Sequence, residues 1–551
     1  MSDTASATAT GARRLVEMLE QLDVKLVFGL PGVHNLAIWK ALRESDIRLV
    51  GVRHEQTAVY AADGFARATG RLGVALVTTG PGAANTLGAT GEAMASNSPV
   101  LVIATDIPAA LRRRGVYRGV LHETRDQTAM FAPVTKAARL LGSVEEIAGA
   151  VIEGGSAALA ARTGPVYLGV PTDLLSQQTS LGAVAMPEAL PLPELSSAAV
   201  DQACEVLASA SRPLIWAGGG ALRADAGALV GELALRLAAP VITTYMGRGM
   251  LPPGHPCAVP GPVHAREVGV LWDEADVVLA IGTDFDGMMT QNWLMPPPPS
   301  LISVNIDGAD ANKNYASDVT LVGDARAVLA RLAPQVPARE GLPELQRRLT
   351  AIATEVEASI AGDDEQAKAF LEIMERALPA DSVVVADMCI PGYWLAGYRR
   401  VPRPRKLAYP MGWGTLGFGF PASLGACLAG AWPTVCVTGD GGFLFAAGEL
   451  ATVAQERIPV TIVLVDDGGY GMLRFDQARA GDEPFGVDLA GPDFAALAMS
   501  FGLPATTIEG FGQAFEDALG RSVGSHEPHM IVVRAALKPP PITSSRWYRR
   551  S

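Results

Sequence analysis

A chain of 551 residues is longer than one hydrophobic core supports, so two to four domains are expected. Hydrophobic residues make up 49% and charged residues 18%, which excludes a disordered chain. A net charge of −13 and a pI near 5.1 argue against a nucleic-acid partner, which needs a basic face, but leave room for a small anionic ligand held by local donors.

The opening MSDTASATATGARR has no apolar stretch of the signal-peptide kind. No uncharged apolar run approaches the ~20 residues that span a bilayer. No membrane partner and a cytoplasmic location are therefore expected, and five cysteines without CxxC spacing read as reduced thiols. In chain order, a helix is expected over Gly11–Leu22 and strands over Val74–Thr79 and Val100–Thr105. A helix over Val144–Ala161 and a strand over Val166–Val170 follow. The Pro-rich stretch Met186–Ser197 reads as a linker, followed by a helix at Ala198–Ala210 and a strand at Val277–Ile281. A second linker, Ala333–Glu344, precedes a helix at Glu365–Ala377 and strands at Val383–Ala386, Val435–Thr438 and Thr461–Val465. The strands are apolar without alternation, as expected for parallel sheets covered on both faces, so the fold class is α/β with three doubly wound domains. The boundaries expected are 1–185, 198–333 and 365–540, with a tail at 541–551. The first and third pieces share a rhythm of Gly-rich strand ends and small-residue helices, which suggests two related domains flanking a third.

The most informative segment is VTGDGGFLFAAGELATVAQERIPVTIVLVDDGGYGML, Val437 to Leu473. Glycines after a strand let the backbone approach a phosphate and aim amide N–H groups at it. Asp440 cannot face phosphate directly, so a hard cation between them is implied, with Mg²⁺ the default. A second apolar strand ends at Asp466-Asp467-Gly468-Gly469, and a parallel strand–helix–strand unit brings both strand ends to one sheet edge. Alone, each turn would be an ordinary Gly-rich or Asp-Gly turn. Together, 27 residues apart, Asp440 and Asp467 are specific.

Here the chain resembles the thiamine-diphosphate enzyme superfamily, whose fingerprint is GDG followed some 27 residues later by Asn. The resemblance implies thiamine diphosphate and Mg²⁺ as cofactors. It makes Asp440, Asp467 and the Gly469 carbonyl the metal ligands, and Gly441, Gly442, Tyr470, Gly471 and Met472 the diphosphate-side backbone. Asp466-Asp467 stands where the pattern usually has Asn-Asn, adding negative charge beside the diphosphate. In YPMGWGTLGFGFPASLGACLAG, the Gly414 carbonyl would accept from the cofactor's 4′-amino group, and Leu416 would wedge the cofactor into its bent form. RHEQTAVYAADGFARATG and TTGPGAANTLGA resemble the cofactor-activating region. They make Glu55 the catalytic carboxylate that hydrogen-bonds N1′ of the aminopyrimidine, with Pro81 and Asn85 beside the cofactor. In this superfamily Glu55 and the GDG loop meet across a subunit interface, which implies a homodimer or homotetramer.

For the reaction, His34 in VFGLPGVHNLAIWKAL and His122 in RRRGVYRGVLHETRDQ are candidate proton relays at the reacting carbon, although either could be a surface or capping histidine. Glu123 is a further candidate, for the relay or for a cationic substrate tail. The pair most resembles the arginine-derived 2-oxoacid decarboxylases of the 5-guanidino-2-oxopentanoate decarboxylase type, alongside acetolactate-synthase-like proteins. The implied activity is decarboxylation or carboligation of a small 2-oxoacid. The alternative is a 2-hydroxyacyl-CoA lyase or oxalyl-CoA decarboxylase, in which KPPPITSSRWYRRS (Lys538–Ser551) would bind an acyl-CoA substrate or act as a lid. Retention of Glu55, Leu416 and Asp440 speaks against a non-catalytic homologue. Pro171-Thr172-Asp173 and RFDQ (Arg474–Gln477) depart from the anabolic acetohydroxyacid synthases. WAGGGA and IGTDFD mark a Rossmann-like middle domain, but Asp284 stands where flavin-binding members carry Arg, so FAD is not expected.

Overall fold

The computed structural model describes residues 8–113, 115–180, 184–188 and 194–541. Three parallel sheets form along the chain, so the fold is three α/β domains. The first sheet contains Leu26–Gly29, Arg48–Gly51, Gly73–Val77, Val100–Asp106, Ala137–Leu140 and Val166–Pro171. The last contains Val383–Ala386, Leu407–Ala408, Thr434–Gly439, Val460–Asp466, Ala505–Glu509 and His529–Arg534. Numbered by chain order within each sheet, both have the strand order 2-1-3-4-6-5. The rhythm shared by the first and third pieces is therefore one topology used twice. The middle sheet, Pro213–Ala217 to Val319–Val322, has five strands in the order 2-1-3-4-5.

That order fixes where sites can form. Beside strand 1, the neighbours on its two sides are connected in opposite directions, which opens a crevice at the carboxyl ends of strands 1 and 3. In the first sheet the loops leaving those strands run toward His34 and Thr78–Asn85. In the last sheet they begin at Asp387 and Asp440.

The expected strands form within two residues of their predicted ends. The helix expected over Val144–Ala161 runs Glu146–Leu159. The helix expected after Asp440 is broken into Asp440–Leu444, a 3₁₀ turn at Ala447–Glu449 and Leu450–Glu456. Gly441, Gly442 and Gly448 lower its helix propensity. The second expected linker ends inside a helix, Leu342–Asp363, which Pro343 starts at a favourable position. Part of the first, 189–193, lies outside the described residues, as does the tail from 542. All five cysteines are free. Among the described residues no helix is long and apolar enough to cross a membrane.

The first and last domains meet along the helices Glu55–Thr69 and Gly419–Leu428. A methyl group on Gly64 would lie 1.9 Å from the Ala422 carbonyl oxygen, and one on Gly425 would lie 1.8 Å from that of Ala61. The contact is backbone against backbone, which small residues alone allow. Beside it, Arg67 forms ion pairs with Asp63 at 2.7 Å and Glu92 at 3.2 Å, all three nearly fully buried. Its guanidinium also donates to the Tyr409 carbonyl at 2.8 Å and lies 4.7 Å from the Phe418 ring centre.

Candidate active site

Glu55 is the first residue of its helix and is buried. His54 caps that helix, its Nδ1 accepting from the Gln56 N–H at 3.2 Å. The Asn85 side-chain amide donates to Glu55 Oε2 at 3.0 Å. A methyl on Gly82 would lie 3.2 Å from Glu55 Oε1. Helix start, Asn85 and the turn opened by Pro81 therefore gather around one carboxylate.

His34 and His122 meet edge to face, with ring centres 5.2 Å apart. His34 Nδ1 is buried and has no hydrogen-bond partner, and burial, followed by the neighbouring His122, holds the ring below its usual protonation range. A ring kept neutral can take a proton. His122 has φ +67°, an uncommon conformation for a side-chain-bearing residue. Its backbone crosses Gly80, where a methyl would lie 2.6 Å from the His122 carbonyl oxygen, and Gly80 itself has φ +65°. The two histidines thus sit over the turn that leads to Pro81 and Asn85. Glu123 is otherwise engaged: Oε2 accepts from the Arg118 and Val120 N–H groups at 3.0 and 2.9 Å, tying its own loop.

At the other end, the strands Thr434–Gly439 and Val460–Asp466 pair in parallel with Gly439 opposite Val465, so Asp440 and Asp467 emerge side by side. Asp440 is buried, and burial together with the Asp467 charge pushes its carboxyl up to about 6. Burial raises Asp467 as well, against the opposing pull of Arg474. Asp467 Oδ1 is buried without a hydrogen-bond partner. Two adjacent carboxylates, Asp440 buried and Asp467 half-buried with an orphaned buried oxygen, are the donor set a hard divalent cation neutralises. Among the described residues no group of three or more His, Cys, Asp or Glu side chains gathers to hold a metal. A pair of aspartates completed by a carbonyl is a different kind of set. The following turn is tightly shaped: Gly469 has φ +152° and a methyl there would strike the Val487 carbonyl at 2.2 Å. Arg474 holds the turn from outside, donating to the Asp467 and Gly468 carbonyls at 3.2 Å each.

Two buried acids that the sequence reading missed join these features. Asp387, fully buried, accepts from the Gly417 N–H at 3.1 Å, the Met388 N–H at 2.7 Å and the Thr438 hydroxyl at 3.2 Å. A methyl on Gly442 would lie 3.0 Å from its Oδ2. Asp387 therefore packs the Gly414–Gly417 turn against the Gly441–Gly442 turn, and burial pushes its carboxyl up to about 6. Glu92 holds the same loop from the first domain, accepting from the Trp413 N–H at 3.0 Å and the Thr415 hydroxyl at 3.2 Å. The only sequence signal for either was a lone acid in an otherwise apolar or small-residue run.

The comparisons with known proteins match this arrangement domain by domain. Residues 9–130 match the N-terminal TPP binding domain of thiamine pyrophosphate enzymes, 200–332 the central domain and 389–533 the C-terminal TPP binding domain. A probable 2-ketoarginine decarboxylase, AruI, of Pseudomonas aeruginosa is 38% identical over 90% of this chain and 89% of its own length. A probable acetolactate synthase large subunit of Methanocaldococcus jannaschii is 32% identical, covering 95% of this chain and 91% of the relative. The acetolactate synthase isozyme 2 large subunit of Escherichia coli is 31% identical over 95% of each chain. The chain belongs to the thiamine pyrophosphate enzyme family. It is an enzyme of the branch that holds these decarboxylase and acetolactate synthase relatives, and thiamine diphosphate is its cofactor. The two TPP-binding matches fall within the two domains whose sheets have equal strand order. Among the described residues, no hydrogen bond, ion pair or ring contact links Glu55 to Asp440, Asp467 or the Gly469–Met472 turn.

Proposed function

We propose that this protein uses thiamine diphosphate and Mg²⁺ to break or form a C–C bond at a small 2-oxoacid, as a decarboxylase or an acetolactate-synthase-like carboligase. The carrying observation is the cluster at the first sheet's crevice: buried Glu55 held by Asn85, with the paired His34 and His122 rings over the adjoining Gly80 turn. The bound cofactor supplies a nucleophilic ring carbon and stores the electron pair left when CO₂ departs. Glu55 holds a proton at the pyrimidine nitrogen N1′. Gly414, on the loop fixed by Asp387 and Glu92, would offer its carbonyl to the cofactor's 4′-amino group, and Leu416 would be the apolar wedge beside it. Asp440, Asp467 and the Gly469 carbonyl hold Mg²⁺, and the backbone of Gly441, Gly442, Tyr470, Gly471 and Met472 lies along the diphosphate. His34 and His122 move a proton to or from the reacting carbon.

Two chains complete the site in this reading, as a homodimer or a dimer of dimers. Support comes from exposed apolar side chains beside both clusters: Val33 and Leu121 near the histidines, and Phe445, Leu473 and Phe485 near the metal turn. Free cysteines fit a cytoplasmic location. FAD has no part in the proposal. The cavity of about 750 Å³ between the first and middle domains presents Asp284, paired with Lys313 at 2.5 Å, where flavin-binding relatives are expected to carry an arginine.

The relatives are named for 2-ketoarginine decarboxylation and acetolactate synthesis, both 2-oxoacid chemistry. A mass-spectrometric screen of purified protein with thiamine diphosphate and Mg²⁺ against 2-oxoacids and 2-hydroxyacyl-CoAs tests the proposal. Consumption of a 2-oxoacid with CO₂ release is expected. Consumption of acyl-CoA substrates alone would overturn it in favour of the lyase alternative.

A further inference from the structure

The 3₁₀ turn Ala447–Glu449 and the helix Leu450–Glu456 lay one face on the strand Arg48–Gly51 of the first domain and the loop that follows it to His54. Glu449, Thr452 and the Gln455–Glu456 pair recur at helical spacing along that face. Glu449 is 1% exposed. Its Oε1 accepts from the backbone N–H groups of Arg53 at 3.0 Å and His54 at 3.1 Å. Its Oε2 accepts from Arg53 N–H at 3.2 Å and from the Thr452 hydroxyl at 2.6 Å. On the flanks, Arg53 donates to Gln455 at 2.7 Å and Arg48 pairs with Glu456 at 2.9 Å.

A buried carboxylate is costly unless donors fill its lone pairs, and here both oxygens are filled. Two of the donors are the backbone N–H groups of the residues directly before Glu55. They stand at the positive end of the Glu55–Thr69 helix, where a carboxylate also gains from the helix dipole. The clamp fixes the point in space where that helix begins, and with it the position of Glu55. It reaches that helix from the segment that starts at Asp440.

From this geometry we infer that Glu449 is a positioning residue for catalysis, holding the Arg53–His54 backbone so that Glu55 meets the cofactor's pyrimidine in register. The inference rests on the reading of Glu55 given above. Its test uses the full-length protein, with thiamine diphosphate and Mg²⁺ as probe and no substrate. Glu449→Gln keeps the shape but turns one acceptor into a donor facing N–H groups. Exchange of the bound cofactor's C2 proton is expected to slow by about tenfold to a hundredfold, as for a misplacement near 1 Å. The cofactor Kd, followed by tryptophan fluorescence, is expected to change by less than about threefold, well under 1.4 kcal/mol. In the cofactor-free protein, amide hydrogen exchange at residues 53 and 54 is expected to accelerate. Thr452→Val, which removes one donor only, is expected to give a smaller change of the same kind and covers the case in which the Gln variant does not fold.

C2 exchange within about twofold of wild type in folded variants overturns the inference, being too small a change for lost register. So does a loss that excess cofactor restores, which would make Glu449 a binding or stability residue. Failure of the Glu55 reading shows elsewhere: wild type itself would not exchange C2–H faster than free cofactor.

Discussion

The first and last sheets have one strand order and place loops at corresponding crevices, yet the side chains there differ in chemistry. The first sheet offers Glu55, Asn85 and two histidines, groups that hold or move protons. The last offers two aspartates and a run of glycines, groups that bind a cation and leave backbone open to phosphate. A shared topology decides where a ligand sits, and the loop sequences decide which end of it.

The sharpest way to break that contrast is one substitution on each side. Glu55→Gln is expected to lower turnover by about 10²- to 10⁴-fold while cofactor binding survives. Asp440→Ala is expected to lose cofactor through gel filtration. If both variants fail in the same way, the division of labour between the sheets is wrong.

Next in size is the contact between the two sheets' domains. Gly425→Ala forces a methyl onto the Ala61 carbonyl, and overpacking of this kind costs about 1–3 kcal/mol. Thermal unfolding should show it, and an unshifted midpoint would mean that the helices are not held this closely.

The smallest expected effect sharpens the metal end. Asp467→Asn removes the extra charge and is expected to lower the Mg²⁺ concentration needed for half-maximal cofactor binding. A higher requirement would show that the second carboxylate is the better ligand here. The pH dependence has a definite sign. Asp440 titrates near 6 in the metal-free fold against an ordinary 3.8, so the folded chain takes up its proton more readily than the unfolded one. Without metal that carboxyl costs stability as pH rises through this window, and Mg²⁺ relieves the cost. The gain in melting temperature on adding Mg²⁺ is therefore expected to be larger at pH 8 than at pH 5.

Strands buried on both faces were legible because apolar runs such as Thr461–Val465 have one physical meaning. The side-by-side placing of Asp440 and Asp467 was legible because two apolar strands each end in an acid and glycines, 27 residues apart. Asp387, Glu92 and Glu449 were not. Each acts through backbone N–H groups distant in sequence, or on another loop, and a lone acid carries no mark of the donors it will meet. The break in the helix after Asp440 had a local signal in Gly441, Gly442 and Gly448. The clamp that the break allows depends on the docking of two domains.

The glycine-to-carbonyl contacts between the helices Glu55–Thr69 and Gly419–Leu428 also bear on how such an enzyme can diversify. Because that spacing is set by main-chain atoms, changes in side chains elsewhere leave it alone. Loops such as the one carrying His122 can then change while the spacing of these two helices stays constant. A chain that loses either glycine would have to re-seat one domain on the other.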